Sequence, residues 1–354
     1  MKNIYHTFYK TKLSSDKTSQ PRRRLVQYLF LFILVLIGAQ FTLWVTQLQN
    51  GQTPIVSRPP GVEGFLPISA LISLKYWLLT GVFNTVHPSA LVILLIVMLL
   101  AVVLKKAFCS WVCPFGLLSE VLAKLQLRIF DRPLTLPRWL DWPLRSLKYL
   151  LLFFFVWAIF VGMDVPALEK FINSPYNRVA DIKMYLFFAH PSKLTLYVLA
   201  ALLLMTLLVR HFWCRYLCPY GAMLGVLSLF SVFKVRRHAE SCIDCEKCTK
   251  VCPARINVHK VKSVYSDECN ACMRCVDACP VKDTLYFAAP GGKIRLNKWL
   301  PVIIVLLFLG GSLLARGLGV WNNSISISEY KAHIRHLDSP QYQHARGQVP
   351  DYER

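Results

Sequence analysis

Apolar residues gather into long runs at 25–48, 90–104, 149–162, 194–209 and 300–315, and between these runs the chain turns polar and basic. Each run is a candidate helix across a hydrocarbon core of ~30 Å. Several are short for a span and must borrow flanking residues. A sixth apolar stretch, 65–81, carries Lys75 in its middle, where a charge in hydrocarbon is costly. It is expected to lie as an interfacial or re-entrant helix on the outer side. The polar and basic residues ahead of the first run, and the length of that run, argue against a cleaved signal core. The first span is expected to stay as an anchor.

Composition agrees with a membrane protein. Of 354 residues, 55% are hydrophobic and the mean hydropathy is +0.42, in a length that suits roughly two ordinary domains. The 41 Lys and Arg exceed the 19 Asp and Glu to give a net charge of +22, but this surplus lies in the loops between runs and does not argue for a nucleic-acid partner. Arg22, Arg23 and Arg24 precede the first run. Lys105, Lys106, Lys124, Arg128, Arg132, Arg138, Arg145 and Lys148 separate the second from the third, and Arg210, Arg215, Lys234, Arg236 and Arg237 follow the fourth. By the positive-inside rule these three regions are cytoplasmic. Five spans then leave the N-terminus inside and the tail, from about Arg316, outside.

The cysteines add the chemistry. Eight of the twelve form Cys242-x2-Cys245-x2-Cys248-x3-Cys252-Pro253 and Cys269-x2-Cys272-x2-Cys275-x3-Cys279-Pro280, the bacterial two-cluster ferredoxin run written twice. Two intervening residues let three thiolates of one turning loop reach three corners of a cubane, and the fourth ligand crosses over from the other run. Cys242, Cys245, Cys248 and Cys279 are therefore assigned to one [4Fe–4S] cluster, and Cys269, Cys272, Cys275 and Cys252 to the other. Structural zinc also uses Cys-x2-Cys pairs, but it needs neither a third cysteine at the same interval nor the terminal CxxxCP. Reduced, cluster-binding thiols belong on the cytosolic side, unlike a small secreted disulfide scaffold.

The remaining four cysteines sit in an internal repeat. His87-Pro88-Ser89, an apolar run and Phe108-Cys109-Ser110-Trp111-Val112-Cys113-Pro114-Phe115-Gly116 recur as His190-Pro191-Ser192, an apolar run and Trp213-Cys214-Arg215-Tyr216-Leu217-Cys218-Pro219-Tyr220-Gly221. Both copies run in one orientation, as parallel repeats do about an axis along the membrane normal. Cysteines four apart share a helix face, so Cys109, Cys113, Cys214 and Cys218 form a candidate additional redox or metal site; the alternative is four thiols packed as small apolar residues. His87 and His190 take equivalent outer positions and form a candidate quinone or haem site. The plainer account has Pro88 and Pro191 in the first turns of their helices with each histidine flanking that start. His333, His336 and His344 in the tail carry no comparable pattern.

These motifs resemble those of the membrane polyferredoxin family that includes NapH-type, NosR-type, CcoG-type and MauN proteins. In layout the chain is similar to the YccM-type electron transport members, notably at Lys105–Trp111, Pro137–Asp141 and Trp213–Gly221. The resemblance runs from about Leu25 to Leu314 and implies a multi-pass protein of the bacterial inner membrane that passes electrons through two [4Fe–4S] clusters. It implies no particular partner. A counterpart of the large flavin-binding domain of NosR-type proteins or of the C-terminal domain of CcoG-type ones is not expected.

The expected fold is an α-helical polytopic membrane protein of about five transmembrane helices in two parallel pseudo-repeats, with an inserted small α+β ferredoxin module of the bacterial 2[4Fe–4S] type. The expected segments are a basic cytoplasmic stretch 1–24, a membrane domain 25–233, a cytoplasmic ferredoxin module 234–297, a last helix 298–315 and a periplasmic tail 316–354. No acid–base pair, nucleophile triad or phosphate loop stands out. The leading function is an electron-transfer subunit, the quinol-oxidising part of a larger oxidoreductase, linking the quinone pool to a redox partner protein. The alternative is an accessory factor that assembles or reduces a metal centre elsewhere, using the CxxxCP thiols as soft ligands. A redox-sensing regulator would want an output domain, and none is evident.

Overall fold

The computed structural model of the chain describes residues 19–130, 136–339 and 342. The N-terminal 18 residues, Arg132, His344 and the end of the tail lie outside the described residues. In chain order the helices are α1 (Ser19–Gln49), α2 (Pro67–Thr80), α3 (Pro88–Leu104), α4 (Ala107–Trp111), α5 (Pro114–Phe130), α6 (Arg138–Phe160), α7 (Val165–Asn173), α8 (Pro175–Arg178), α9 (Ala180–Ala189), α10 (Lys193–Leu208), α11 (Pro219–Leu229), α12 (Lys247–Lys250), α13 (Arg274–Ala278), α14 (Leu300–Gly317) and α15 (Ile327–Arg335). Strands β1 (Lys234–Arg237) and β2 (Leu285–Ala288) pair antiparallel, with Val235 opposite Phe287.

Among the described residues three helices are long and apolar enough to cross a membrane, Ser19–Gln49, Trp139–Phe160 and Leu300–Gly317, and α9 with α10, bent by 76°, makes a fourth if counted as one span. The helix α3 is apolar but only 17 residues long, about 25 Å at 1.5 Å per residue. The chain is thus a multi-pass, mostly helical protein. One expectation gains partners and two change in detail. The stretch 65–81 becomes α2, whose Lys75 amine donates to the carbonyls of Ile159 and Met163, so a charge costly in hydrocarbon has protein partners instead. The third apolar run belongs to a helix that starts eleven residues earlier, at Arg138, and tolerates Pro143 near its start, where few backbone bonds are lost. Pro191 does not open α10. It lies in the bend before it, and the Ser192 hydroxyl accepts from the Thr195 amide instead.

The chain divides into two compact units. The cysteine unit gathers the described residues of Met1–Leu31, Val97–Leu152 and Ala200–Phe308; the histidine unit gathers those of Phe32–Ile96, Phe153–Leu199 and Leu309–Arg354. In the cysteine unit the two-stranded sheet is closed by buried Val235 and Phe287, and Phe233 stacks on Phe287 at 6.1 Å. In the histidine unit α2 packs on α7, and Phe41, Trp44, Leu48, Ile159, Leu168, Ile172 and Tyr330 form one apolar core. Trp44 meets Tyr330 edge to face at 4.9 Å, a geometry that aromatic quadrupoles favour.

Candidate functional site

Two recesses in the cysteine unit collect the ferredoxin cysteines. One is lined by Cys252, Cys269, Cys272 and Cys275; the other by Cys242, Cys245, Cys248 and Cys279. Each takes three thiols from one run and one from the other. Local backbone explains how. Asp244 and Glu246 flank Cys245 with φ of 49° and 57°, and Ala271 and Met273 flank Cys272 with φ of 48° and 62°. Left-handed non-glycine residues cost roughly 1–3 kcal/mol each and persist where surroundings fix them. Here they curl both loops in the same way, turning successive thiols toward one void before Lys247 and Arg274 open the short helices α12 and α13.

The donor sets fit iron–sulfur clusters. Among the described residues no group of three Cys, His, Asp or Glu is placed to hold a metal ion directly. A lone tetrahedral ion with bonds of ~2.3 Å would draw its sulfurs to within about 4 Å of one another, whereas thiols set around a void suit a multi-iron core. Burial and the neighbouring Cys272 and Cys269 push the Cys252 thiol up to about 12, and burial raises Cys275 and Cys269 likewise. Such thiols become thiolates only against a cationic centre.

The two CxxxCP motifs fold into matching elbows. The amide of Cys113 donates to the carbonyl of Phe108 and that of Cys218 to Trp213, both at 3.0 Å and both five residues back. The first elbow sits on α4 and the second on a π-helical turn, Trp213–Leu217. In each, the second cysteine stands at the N-terminus of the following helix, where free amides favour negative charge. The Gly221 amide donates to Cys218 Sγ at 3.2 Å. All six pairs among Cys109, Cys113, Cys214 and Cys218 interact electrostatically. The repeats also touch directly, through Ser119 and Cys214 at 3.6 Å and through the rings of Phe108 and Tyr220. Burial pushes Cys113 up to about 12 and Cys214 to about 11.

What lies inside the elbows differs. In the first, Ser110 Oγ donates to the Asn270 carbonyl at 2.6 Å and Trp111 Nε1 to the Ala271 carbonyl at 3.0 Å, so the turn is bonded to the peptide between Cys269 and Cys272. In the second, Arg215 and Tyr216 bond to the carboxylate of Asp141 on α6, at 3.0 and 2.6 Å. Further ties converge on the same ferredoxin loop: Gln20 Nε2 donates to the Cys272 carbonyl at 2.8 Å, and Lys106 and Lys148 pair with Glu268. Arg23 grips Glu120 with both Nη atoms at 2.8 Å, and Arg274 reaches the same carboxylate at 2.6 Å. Burial opposes the charge on Glu120, but Arg274 and Arg23 outweigh it and hold the carboxyl well below its usual range. Sequence reading took Arg23 only as a topological charge. Its carboxylate partner, Glu120, is the one acidic residue of the largely apolar α5 in a chain poor in acids, which was the available signal.

In the histidine unit His87 and His190 part company. His87 is fully buried, with Nδ1 3.3 Å from Glu63 Oε1 and Nε2 2.5 Å from the Asn177 carbonyl. His190 is exposed at the C-terminus of α9. Their repeat equivalence does not extend to burial or partners. Glu63 also accepts from the Ser89 hydroxyl and pairs with Arg58 at 2.9 Å, and Arg58 pairs with Asp181 at 2.7 Å. Burial works against charge on both His87 and Glu63, but their mutual contact, with Arg58 on the carboxylate, raises the imidazole and lowers the carboxyl. In the tail His333 bonds the Tyr342 hydroxyl at 2.6 Å and His336 follows the end of α15.

Comparison with known proteins matches these parts. A family profile described as "4Fe-4S binding domain" covers residues 86–134 and 194–238, the two stretches that carry the elbows, and one described as "4Fe-4S dicluster domain" covers 234–280. The chain is 45% identical to YccM of Escherichia coli K12, named as a candidate electron transport protein, over 87% of this chain and 88% of that one. It is 29% identical to the ferredoxin-type protein NapH of the same organism, over 65% and 73%, and 28% identical to the methylamine utilization ferredoxin-type protein MauN of Methylorubrum extorquens, over 54% and 62%. No solved structure matches the chain.

Proposed function

Because the chain belongs to the membrane polyferredoxin family of the YccM, NapH, NosR and MauN type, we propose that it relays electrons through two [4Fe–4S] clusters between the quinone pool and a partner redox protein. The observation that carries this reading is the pair of four-cysteine recesses in a chain with several bilayer-length apolar helices. A cubane supplies one-electron exchange at a potential set by hydrogen bonds to sulfur and by solvent access. The residues provide the rest. Cys242, Cys245, Cys248 and Cys279 hold one cluster, and Cys269, Cys272, Cys275 and Cys252 the other. Gln20, Ser110 and Trp111 fix the second loop through its carbonyls, and Val235, Val258 and Met273 screen its recess from water.

The loop charges support a ferredoxin module in the cytoplasm of a bacterial cell, with the tail from about Arg316 in the periplasm. Reporter fusions after Arg237 and at Arg354 then report opposite sides. Anchoring the module to apolar helices makes exchange with a bilayer donor effectively intramolecular, which a soluble ferredoxin does not achieve. In membranes enriched in the protein, a quinol analogue should reduce the clusters, seen by electron paramagnetic resonance, and Cys245→Ser or Cys272→Ser should stop electrons reaching the acceptor. Clusters indifferent to quinol, beside a partner enzyme that loses its metal without this chain, would replace the relay with an assembly role.

A further inference from the structure

We infer that Cys109, Cys113, Cys214 and Cys218 hold a third [4Fe–4S] cluster, with two ligands from each sequence repeat. This builds on the reading of the chain as an iron–sulfur carrier and adds a centre that neither ferredoxin run supplies. Ser119 of the first repeat reaches Cys214 Sγ of the second at 3.6 Å and the ring of Phe108, next to Cys109, meets that of Tyr220, two residues after Cys218, so the two thiol pairs lie close enough to feel one another's charge, and thiolate-only donors select iron–sulfur clusters or soft single ions. A single ion would need the sulfurs drawn together, and among the described residues no such group exists. The same holds for the eight ferredoxin cysteines.

Both elbows are shaped to receive an anionic cluster. The same five-residue closure turns the two cysteines of each motif, and the amides of Phe115 and Gly116, like those of Tyr220 and Gly221, donate to the sulfur of the second one. Amide-to-sulfur bonds at the start of helices of 17 and 11 residues stabilise negative charge there. The buried amine of Lys106 faces Cys109 and Cys214 and offsets more of it. The motif glycine has a matching reason: a side chain at Gly116 would meet the Cys109 carbonyl oxygen at 1.9 Å. The site is also coupled to the ferredoxin loop, since Ser110 and Trp111, between the first two ligands, bond to the carbonyls of Asn270 and Ala271.

The test is metal and sulfide counting on the full-length protein purified anaerobically in detergent, with Mössbauer spectra to identify cluster type. Three cubanes require about 12 iron and 12 sulfide per chain, and Cys113→Ser combined with Cys218→Ser should remove about four of each while the remaining clusters keep their paramagnetic signals. About eight of each in the unmutated protein, unchanged by the double substitution, overturns the third cluster and leaves the two-cluster relay standing. One zinc or copper per chain, lost in the double variant, also overturns it. Absence of iron altogether would instead remove the iron–sulfur reading on which it rests. The count on the unmutated protein decides even where the variant does not fold.

Discussion

All twelve cysteines lie in the cysteine unit, where eight of them line two recesses; the histidine unit has none, and its buried Arg58, Glu63, His87 and Asp181 answer one another in direct contact. The two regions bury polar chemistry by opposite means. Paired charges offset part of their desolvation through each other, so the histidine network finds its counter-charges within the fold. Converging thiols gain little from one another and are raised by mutual repulsion as well as by burial. Their arrangement makes sense only around a cationic centre, and the strained loops that aim them mark the unit as built for a cofactor.

The largest expected effect breaks the two regions apart. Anaerobic removal of iron should abolish hydrogen-exchange protection in β1, β2, α12 and α13, a loss on the order of 10 kcal/mol if these sites behave as other structural metal centres do. Protection in α2, α7 and α15 should stay. Equal loss in both sets would mean that the histidine unit also depends on the clusters.

Next in size is Arg58→Met, which strands Glu63 and Asp181 without their shared cation. Removing one partner of a buried ion pair costs about 3–5 kcal/mol. A lowered melting temperature with unchanged iron content is the expected result, and lost iron would contradict the separation.

A smaller effect sharpens the contrast between the two elbows. Gly116→Ala must displace the backbone of Cys109, and should cost about 1–3 kcal/mol as overpacking does, with lowered iron content. Gly221→Ala meets its nearest neighbour, Cys218 Sγ, at an ordinary 3.5 Å and should change stability by less than about 1 kcal/mol. Equal behaviour of the two would show that the repeats are more symmetric than their contacts.

The smallest effect is a pH dependence confined to the histidine unit. His87 is raised from 6.5, so its stabilisation is complete below pH 6.5 and fades as pH rises through the folded value; Glu63 is lowered from 4.5, so its contribution is complete above pH 4.5 and fades as pH falls. Melting in detergent should be most favourable between about pH 4.5 and 6.5. His87→Gln should flatten the alkaline limb. An unchanged limb would assign that dependence to another group.

Sequence alone determined the parts whose physics is local. A cubane demands thiols at fixed short intervals, so Cys242 to Cys252 and Cys269 to Cys279 announce their ligand before any fold is known. A bilayer demands long apolar runs, so the helices at Ser19–Gln49 and Leu300–Gly317 are legible as well. The repeat of CxxxCP showed that two thiol pairs exist, but not that Ser119 of one half would touch Cys214 of the other. Only the tertiary structure decided which polar residues meet across long separations. Glu120 between Arg23 and Arg274, Asp141 beneath Arg215 and Tyr216, and Glu63 against His87 and Arg58 leave no spacing signature, because either partner could have been placed elsewhere along its helix or loop. Placement also separated His87 from His190. The two sit at matching points of a repeat, yet one is enclosed by a carboxylate and a carbonyl and the other faces outward, since burial depends on which segments pack over a residue and not on its neighbours in the chain.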